Sequence, residues 1–353
     1  MLLLGLKKNL NSDLLWNFIS LAFLGLSGIL LNLIISLYYE PDILGAFNQV
    51  LSIYIVFSMI GSGGFNYSVL RAIAINSKNI NEIENIICGA LLPVVFLSLL
   101  TTLILFFLID PISLWLKSEL VYIGLQSILP GLFFFSINKV LLNGVLNGFQ
   151  KFKKYAFYQS LRYLIILFGL LIAIVFSFEG GKLPFIFSLS EIFLFIFLFI
   201  EVSIISRWWR SNNFYYWLKK HFSYGIKGLS SGILIELNSK IDIIFIGYFL
   251  SDRLVGIYSF AALFAEGFLQ FLIIFQNLYN PIIAKFLFQK NYKDLSYFVK
   301  TRRKKIYKYT FSLFFLILII YRLLMEYITN DISYLQSLLP FAILIIGITL
   351  ASG

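Results

Sequence analysis

A chain of 353 residues that is 60% hydrophobic and 18% aromatic, with 13% charged residues and a mean hydropathy of +0.89, has too little polar surface to coat a water-soluble globule. The single cysteine, Cys88, excludes any intramolecular disulfide. These proportions predict an all-α, polytopic membrane protein, and the net charge of +11 has to be read as a distribution along the membrane helices.

The opening MLLLGLKKNLNSD is not a cleavable leader, because Lys7 and Lys8 follow only a few apolar residues and no small-residue cleavage site precedes the next long span. With about 20 apolar residues needed for each crossing, about ten spans are predicted. They lie near 14–37, 43–70, 86–109, 121–146, 157–178, 183–206, 226–250, 254–283, 307–328 and 333–351. In the second, GSGGF supplies Gly61, Gly63 and Gly64, glycines that loosen or bend its end just before Arg71. Pro93, Pro130 and Pro340 fall within spans and predict bent helices. The fourth span carries Lys139 and the fifth Arg162, while the link WWRSNNFYYWLKKHF has the aromatic and basic make-up of a membrane-surface anchor. His221, the only histidine, lies in that link and reads as an interfacial residue rather than a catalytic base.

The seventh span is the anomaly. Glu236, Lys240 and Asp242 stand inside ILIELNSKIDIIFIGYF, and each central charge costs roughly 2.5–3.5 kcal/mol against roughly 0.3–0.6 returned per large apolar residue. Glu236 and Lys240 share a face in the favourable order for an ion pair, Asn238 and Asp242 share another, and Gly228 and Gly232 form a GxxxG packing edge. A purely structural bridge is one reading of Glu236 with Lys240. The other is a helix bordering a hydrated cavity, with Lys240 foremost among cations available to an anionic head group, then Lys139, Arg162, Arg71 and Lys227. Arg162, Lys227 and Arg71 sit close to predicted helix ends, where snorkelling to the interface is the simpler role. Glu236 and Asp242 could alternatively hold a coupling ion.

Basic residues accumulate in alternate links: Lys7 and Lys8, Arg71 and Lys78, Lys151 to Lys154, Arg207 to Lys220, and the segment containing TRRKK. By the positive-inside rule these links and the amino terminus are cytoplasmic, which leaves no call for nucleic acid as a partner. Links on the other side are short, the longest being around LIDPISLWLKSEL. No GxxxxGK[ST], HExxH or DxD-like pair is present, so no cofactor or metal is expected.

Two passages repeat. YYEPDILGAFNQV and GYFLSDRLVGIYSFA each follow an odd-numbered span, with Asp42 or Asp252 ahead of a glycine and an aromatic: Gly45 and Phe47, Gly256 and Tyr258. Six spans apart, they fit a duplication. These LGAF and VGIY turns, the linker NGFQKFKKYAFYQSLRYLI and the passage IDIIFIGYFLSDRLVGIYSFA resemble polysaccharide transporters of the O-antigen flippase type, in the multidrug, oligosaccharidyl-lipid and polysaccharide exporter superfamily. The resemblance implies two helical lobes around a central cavity lined largely by spans one, two, seven and eight. It implies residues 1–206 as a six-helix lobe, 207–225 as a cytoplasmic link and 226–353 as a shortened second lobe, since members usually have twelve or more spans. It further implies export of an undecaprenyl-pyrophosphate-linked oligosaccharide across a bacterial inner membrane for surface polysaccharide. Membrane lipid, a polysaccharide polymerase and a chain-length regulator are the other partners implied. A membrane glycosyltransferase or polymerase, a cation-coupled drug antiporter and a non-transporting scaffold are the alternatives, with Lys139 and Lys240 counting against the antiporter.

Overall fold

The computed structural model describes residues 23–329 and 331–351, and no strand occurs among them. Helices α1 (Phe23–Tyr38), α2 (Pro41–Ser62), α3 (Phe65–Asn76), α4 (Ile80–Leu116) and α5 (Glu119–Lys139) come first, α5 running on as a π-helical segment, Val140–Leu146. Then follow α6 (Phe152–Val175), α7 (Phe185–Ile205), α8 (Phe214–Phe249), α9 (Asp252–Phe288), α10 (Tyr292–Ile328) and α11 (Leu338–Ala351). Each of the ten predicted spans falls on helix, with residues 14–22 of the first, and Lys7 and Lys8 before it, outside the described residues. Among the described residues seven helical stretches are long and apolar enough to cross a membrane: α2, α4, α5 with its π segment, α6, α7 with the turn before it, α10, and α11 with the turn before it. Phe107, Val175 and Ile204 leave 73–78% of their surface uncovered, an arrangement that hydrocarbon tolerates and water does not.

The predicted second span is two helices. Gly63 and Gly64 take φ of 57° and 68°, a left-handed conformation that closes α2 and lets the chain restart as α3 at Phe65. A Cβ on Gly64 would also run into the Gly225 carbonyl oxygen and stand 2.7 Å from the Leu229 nitrogen of α8. Gly64→Ala is therefore expected to lower stability by about 2 kcal/mol or more, read as a drop in the thermal midpoint of the detergent-solubilised protein. Close backbone approach on α8 is thus made at Gly225. Gly228 and Gly232, the predicted packing edge, receive side chains instead: Tyr67 against Gly228, and Met59 and Tyr67 against Gly232. Gly61 leaves room for Ser136 of α5, whose Oγ lies 2.5 Å from where a Cβ would stand.

Contacts divide the described chain into two compact units, one of residues 23–31 and 46–252, the other of residues 32–45 and 253–351. In the first, α5 packs on α4 and α7. Just past Pro130, the Ser188 hydroxyl of α7 accepts from the Gly131 N–H (3.0 Å) and donates to the Ser127 carbonyl (2.8 Å), two groups an unbroken α-helix would join directly. A side chain from a neighbouring helix thereby satisfies the backbone that the proline disturbs. Asp252 belongs to this unit, where it accepts from Gln49 Nε2 (2.7 Å) and from the Ser118 hydroxyl.

His221 fixes another corner of the first unit, outside the candidate spans. Its Nε2 lies 3.1 Å from the Ile86 carbonyl oxygen, which can only accept, so Nε2 carries the proton and Nδ1 accepts from the Ser68 hydroxyl at 2.8 Å. The ring is fully buried, not interfacial as its sequence context predicts, because α3 and α4 supply a partner for each nitrogen. Burial pushes the imidazole down from 6.5 to about 4. A neutral His221 contributes in full above pH 6.5, and its contribution is lost as the pH falls from 6.5 towards 4, where the unfolded chain takes the proton first. That loss is on the order of 2–3 kcal/mol, and His221→Phe is expected to flatten the corresponding fall in thermal midpoint between pH 7 and 4.5.

In the second unit the two repeated turns meet. Gly256 packs on the Pro41 carbonyl, 3.1 Å from the Gly45 nitrogen, so a side chain at Gly256 has no room. Arg253 pairs with Asp42 (3.5 Å) and Asp331 (2.8 Å). Further along, Tyr321 of α10 stacks on Phe341 of α11 with ring centroids 3.9 Å apart and shares a 2.6 Å hydrogen bond with Ser337.

Candidate functional site

Lys139 ends the α-helical part of α5, immediately before the π turn. One turn earlier, the Phe135 ring lies beneath two cations, 5.2 Å from Lys139 Nζ and 4.9 Å from Arg162 Cζ. It also stacks on Tyr54 of α2 at 5.0 Å. An aromatic face stabilises a cation without neutralising it. The Lys139 ammonium lies 3.1 Å from Met59 Sδ and 3.5 Å from Ser58 Oγ, and among the described residues no carboxylate stands within ion-pair distance of it.

Arg162 is different. It is 8% exposed and pairs through Nε with Glu191 Oε1 at 2.7 Å, with Nη2 3.4 Å from Oε2. Glu191 of α7 is 1% exposed and also accepts from Asn138 Nδ2, at 2.8 Å to Oε2 and 2.9 Å to its backbone oxygen. The snorkelling expected of Arg162 does not occur, because a buried carboxylate with a second donor beside it offers better solvation than the interface. Glu191 and Arg162 pair with each other, which leaves Lys139 as the cation of this cluster outside any ion pair among the described residues. Glu236 of α8, half-buried, is close enough to act on the Lys139 ammonium, as Glu191 is. Near the pair, Tyr54 Oη and Asn138 Oδ1 are buried without a hydrogen-bond partner among the described residues. Polar atoms left so in an apolar interior suit water or a polar ligand group.

Of the residues singled out by sequence, the structure brings together Lys139 and Arg162, with Glu236 in electrostatic range. Lys240 and Asp242 are half-buried and Asn238 is exposed on α8. Asp242 Oδ1 accepts from the Ile243 N–H at 2.9 Å. Arg71 and Lys227 meet elsewhere, on a surface groove of about 550 Å³ between α3 and the start of α8. Glu191, Asn138, Phe135 and Tyr54 were not singled out by sequence. A lone glutamate in FSLSEIFLF is the one signal that could have found the first of them, since an isolated intramembrane carboxylate demands a partner. Among the described residues no group of three or more His, Cys, Asp or Glu side chains could hold a metal ion.

A family model described as "Polysaccharide biosynthesis protein" matches residues 14–288. No curated protein and no solved structure matches the chain.

Proposed function

The chain belongs to the polysaccharide biosynthesis protein family, the polysaccharide and O-antigen flippases, and from that premise we propose that it moves an undecaprenyl-pyrophosphate-linked oligosaccharide from the cytoplasmic to the outer leaflet of a bacterial inner membrane. Members of this family are in general transporters rather than enzymes, and this one is a multi-pass membrane protein. The observation that carries the reading is Lys139: a half-buried ammonium in an apolar bundle, held by an aromatic face and a thioether, with no carboxylate within ion-pair distance among the described residues. A pyrophosphate diester brings charge that hydrocarbon rejects, and a fixed cation outside any ion pair lowers that barrier by charge-assisted hydrogen bonds.

In this reading Lys139 is the principal head-group ligand, with Lys240 as a second. Arg162 and Glu191 hold α6 on α7 and orient Asn138 beside the site. Glu236 and Asp242 are the carboxylates available for a coupling ion. The family's two lobes, 1–206 and 226–353 joined by 207–225, would alternate access to the site by rocking about it. The amino terminus is cytoplasmic, on the basis of the charge asymmetry between links.

Deleting the gene and quantifying surface polysaccharide together with lipid-linked repeat units on each leaflet tests this. Accumulation of complete units on the cytoplasmic leaflet, reversed by the 353-residue chain, is the expected result. Complete units still reaching the outer leaflet without any substitute transporter would remove the flippase reading and advance a polymerase or glycosyltransferase.

A further inference from the structure

The groove that joins Arg71 to Lys227 lies apart from the Lys139 cluster and has a different construction. Its wall on α8 is one helical face, Lys220, Tyr224 and Lys227 falling at positions i, i+4 and i+7. Arg71 and Ile75 of α3 and Glu82 of α4 complete the lining. None of the three cations has a carboxylate within ion-pair distance among the described residues. Two of them rest on aromatic rings: Arg71 over Tyr224 at 5.3 Å, and Lys220 over Tyr216 at 4.4 Å and Trp217 at 4.7 Å. The single acid in the lining, Glu82, is occupied, its Oε2 accepting from Trp217 Nε1 at 2.6 Å. Three cations against one carboxylate leave the groove with two positive charges unmatched.

The floor is rigid. His221, one residue from Lys220, is bonded to both α3 and α4, and Gly64 sits directly on Gly225, so the two walls are held at a fixed separation. Preorganised cations bind an anion without first ordering themselves. Two large apolar side chains of the lining are uncovered beside the charges, Ile75 at 70% and Tyr216 at 50% exposure. A free phosphate needs cations only, whereas cations edged by uncovered apolar side chains fit an amphiphile whose charged group meets its hydrocarbon chain.

From these features we infer that the groove is a binding site for a lipid-borne phosphate or pyrophosphate head group, distinct from the Lys139 cluster and placed to receive it at the membrane surface. Its assignment to the cytoplasmic surface rests on the proposed function. The two unmatched charges equal those of a pyrophosphate diester, and the site would hold such a head group before it enters the membrane interior.

The test is equilibrium binding of farnesyl pyrophosphate to the full chain purified in a nonionic detergent, followed through Trp217 fluorescence with Trp217→Phe as the blank. Saturable binding is expected, about tenfold or more tighter than that of inorganic pyrophosphate, because the chain adds apolar contact. The double variant Arg71→Ala/Lys227→Ala should weaken it by about tenfold or more, with an unchanged thermal midpoint, while Lys154→Ala, bound to Glu201 away from the groove, should leave it unaltered. Competition by phosphatidylglycerol at equal concentration would assign the site to bilayer phospholipid, and absence of competition to the pyrophosphate carrier; both support a lipid-borne phosphate. Equal affinity for inorganic and farnesyl pyrophosphate, or binding untouched by the double variant, overturns the inference. Because this assay measures no transport, its failure leaves the leaflet experiment intact, and the reverse also holds.

Discussion

Replacing Lys139 with alanine is expected to lower the rate of lipid-linked oligosaccharide flipping by about ten- to a hundredfold, the loss of one or two charge-assisted hydrogen bonds to phosphate. The ammonium makes no ion pair among the described residues, so its removal orphans no buried carboxylate. The neighbouring Arg162–Glu191 pair is satisfied without it. Folding should therefore survive, with the thermal midpoint close to that of the unmodified protein, while transport falls. Lys139→Arg keeps the charge and should retain a large part of the activity, though a planar guanidinium will not sit identically on Phe135. Transport that persists at the normal rate in Lys139→Ala, and again in Lys139→Ala/Lys240→Ala, would remove the cationic site from the mechanism. The leaflet assay reads all three variants.

The converse behaviour is expected of Glu191. Glu191→Leu leaves the Arg162 guanidinium, 8% exposed, without its only close carboxylate among the described residues. Stripping one partner from a buried pair costs about 3–5 kcal/mol, because the survivor remains desolvated and unpaired. A large fall in the thermal midpoint, or failure to accumulate in the membrane, should follow. Arg162→Leu/Glu191→Leu removes both charges together and should recover most of that loss. If the single variant proves no less stable than the double, the pair is not what joins α6 to α7.

Seven of the ten predicted crossings were legible because a long apolar run has few other fates, and they coincide with helical stretches long and apolar enough to span. The break in the second was legible in part: GSGGF predicts a loosened end, but two consecutive left-handed glycines are a property of the backbone against α8. Lys139 could be named from sequence since a lysine within a span is conspicuous. Its surroundings could not, because Ser58, Met59 and Phe135 come from two helices whose register no periodicity fixes. Arg162 and Glu191 are 29 residues apart on successive helices, beyond the i, i+4 logic that singles out Glu236 and Lys240. Gly225 carries no signal in the sequence for a similar reason. It belongs to no GxxxG with Gly228 or Gly232, yet it is where α8 meets the backbone of Gly63 and Gly64.

The π turn of Val140–Leu146 also sets a phase. Each residue added to a helix rotates everything beyond it by about 100°, and a π turn accommodates one residue more than an α turn without lengthening the rod appreciably. Lys139 lies on one side of this wide turn, and Gly144, packed on Val69 of α3, lies within it. Loss of a single residue between them would leave a helix of nearly the same length and hydropathy, but with lysine and glycine no longer facing their present neighbours together. In that stretch the chain is less tolerant of a change in residue count than of a change in residue type, so divergence here should proceed by substitution and avoid insertion or deletion.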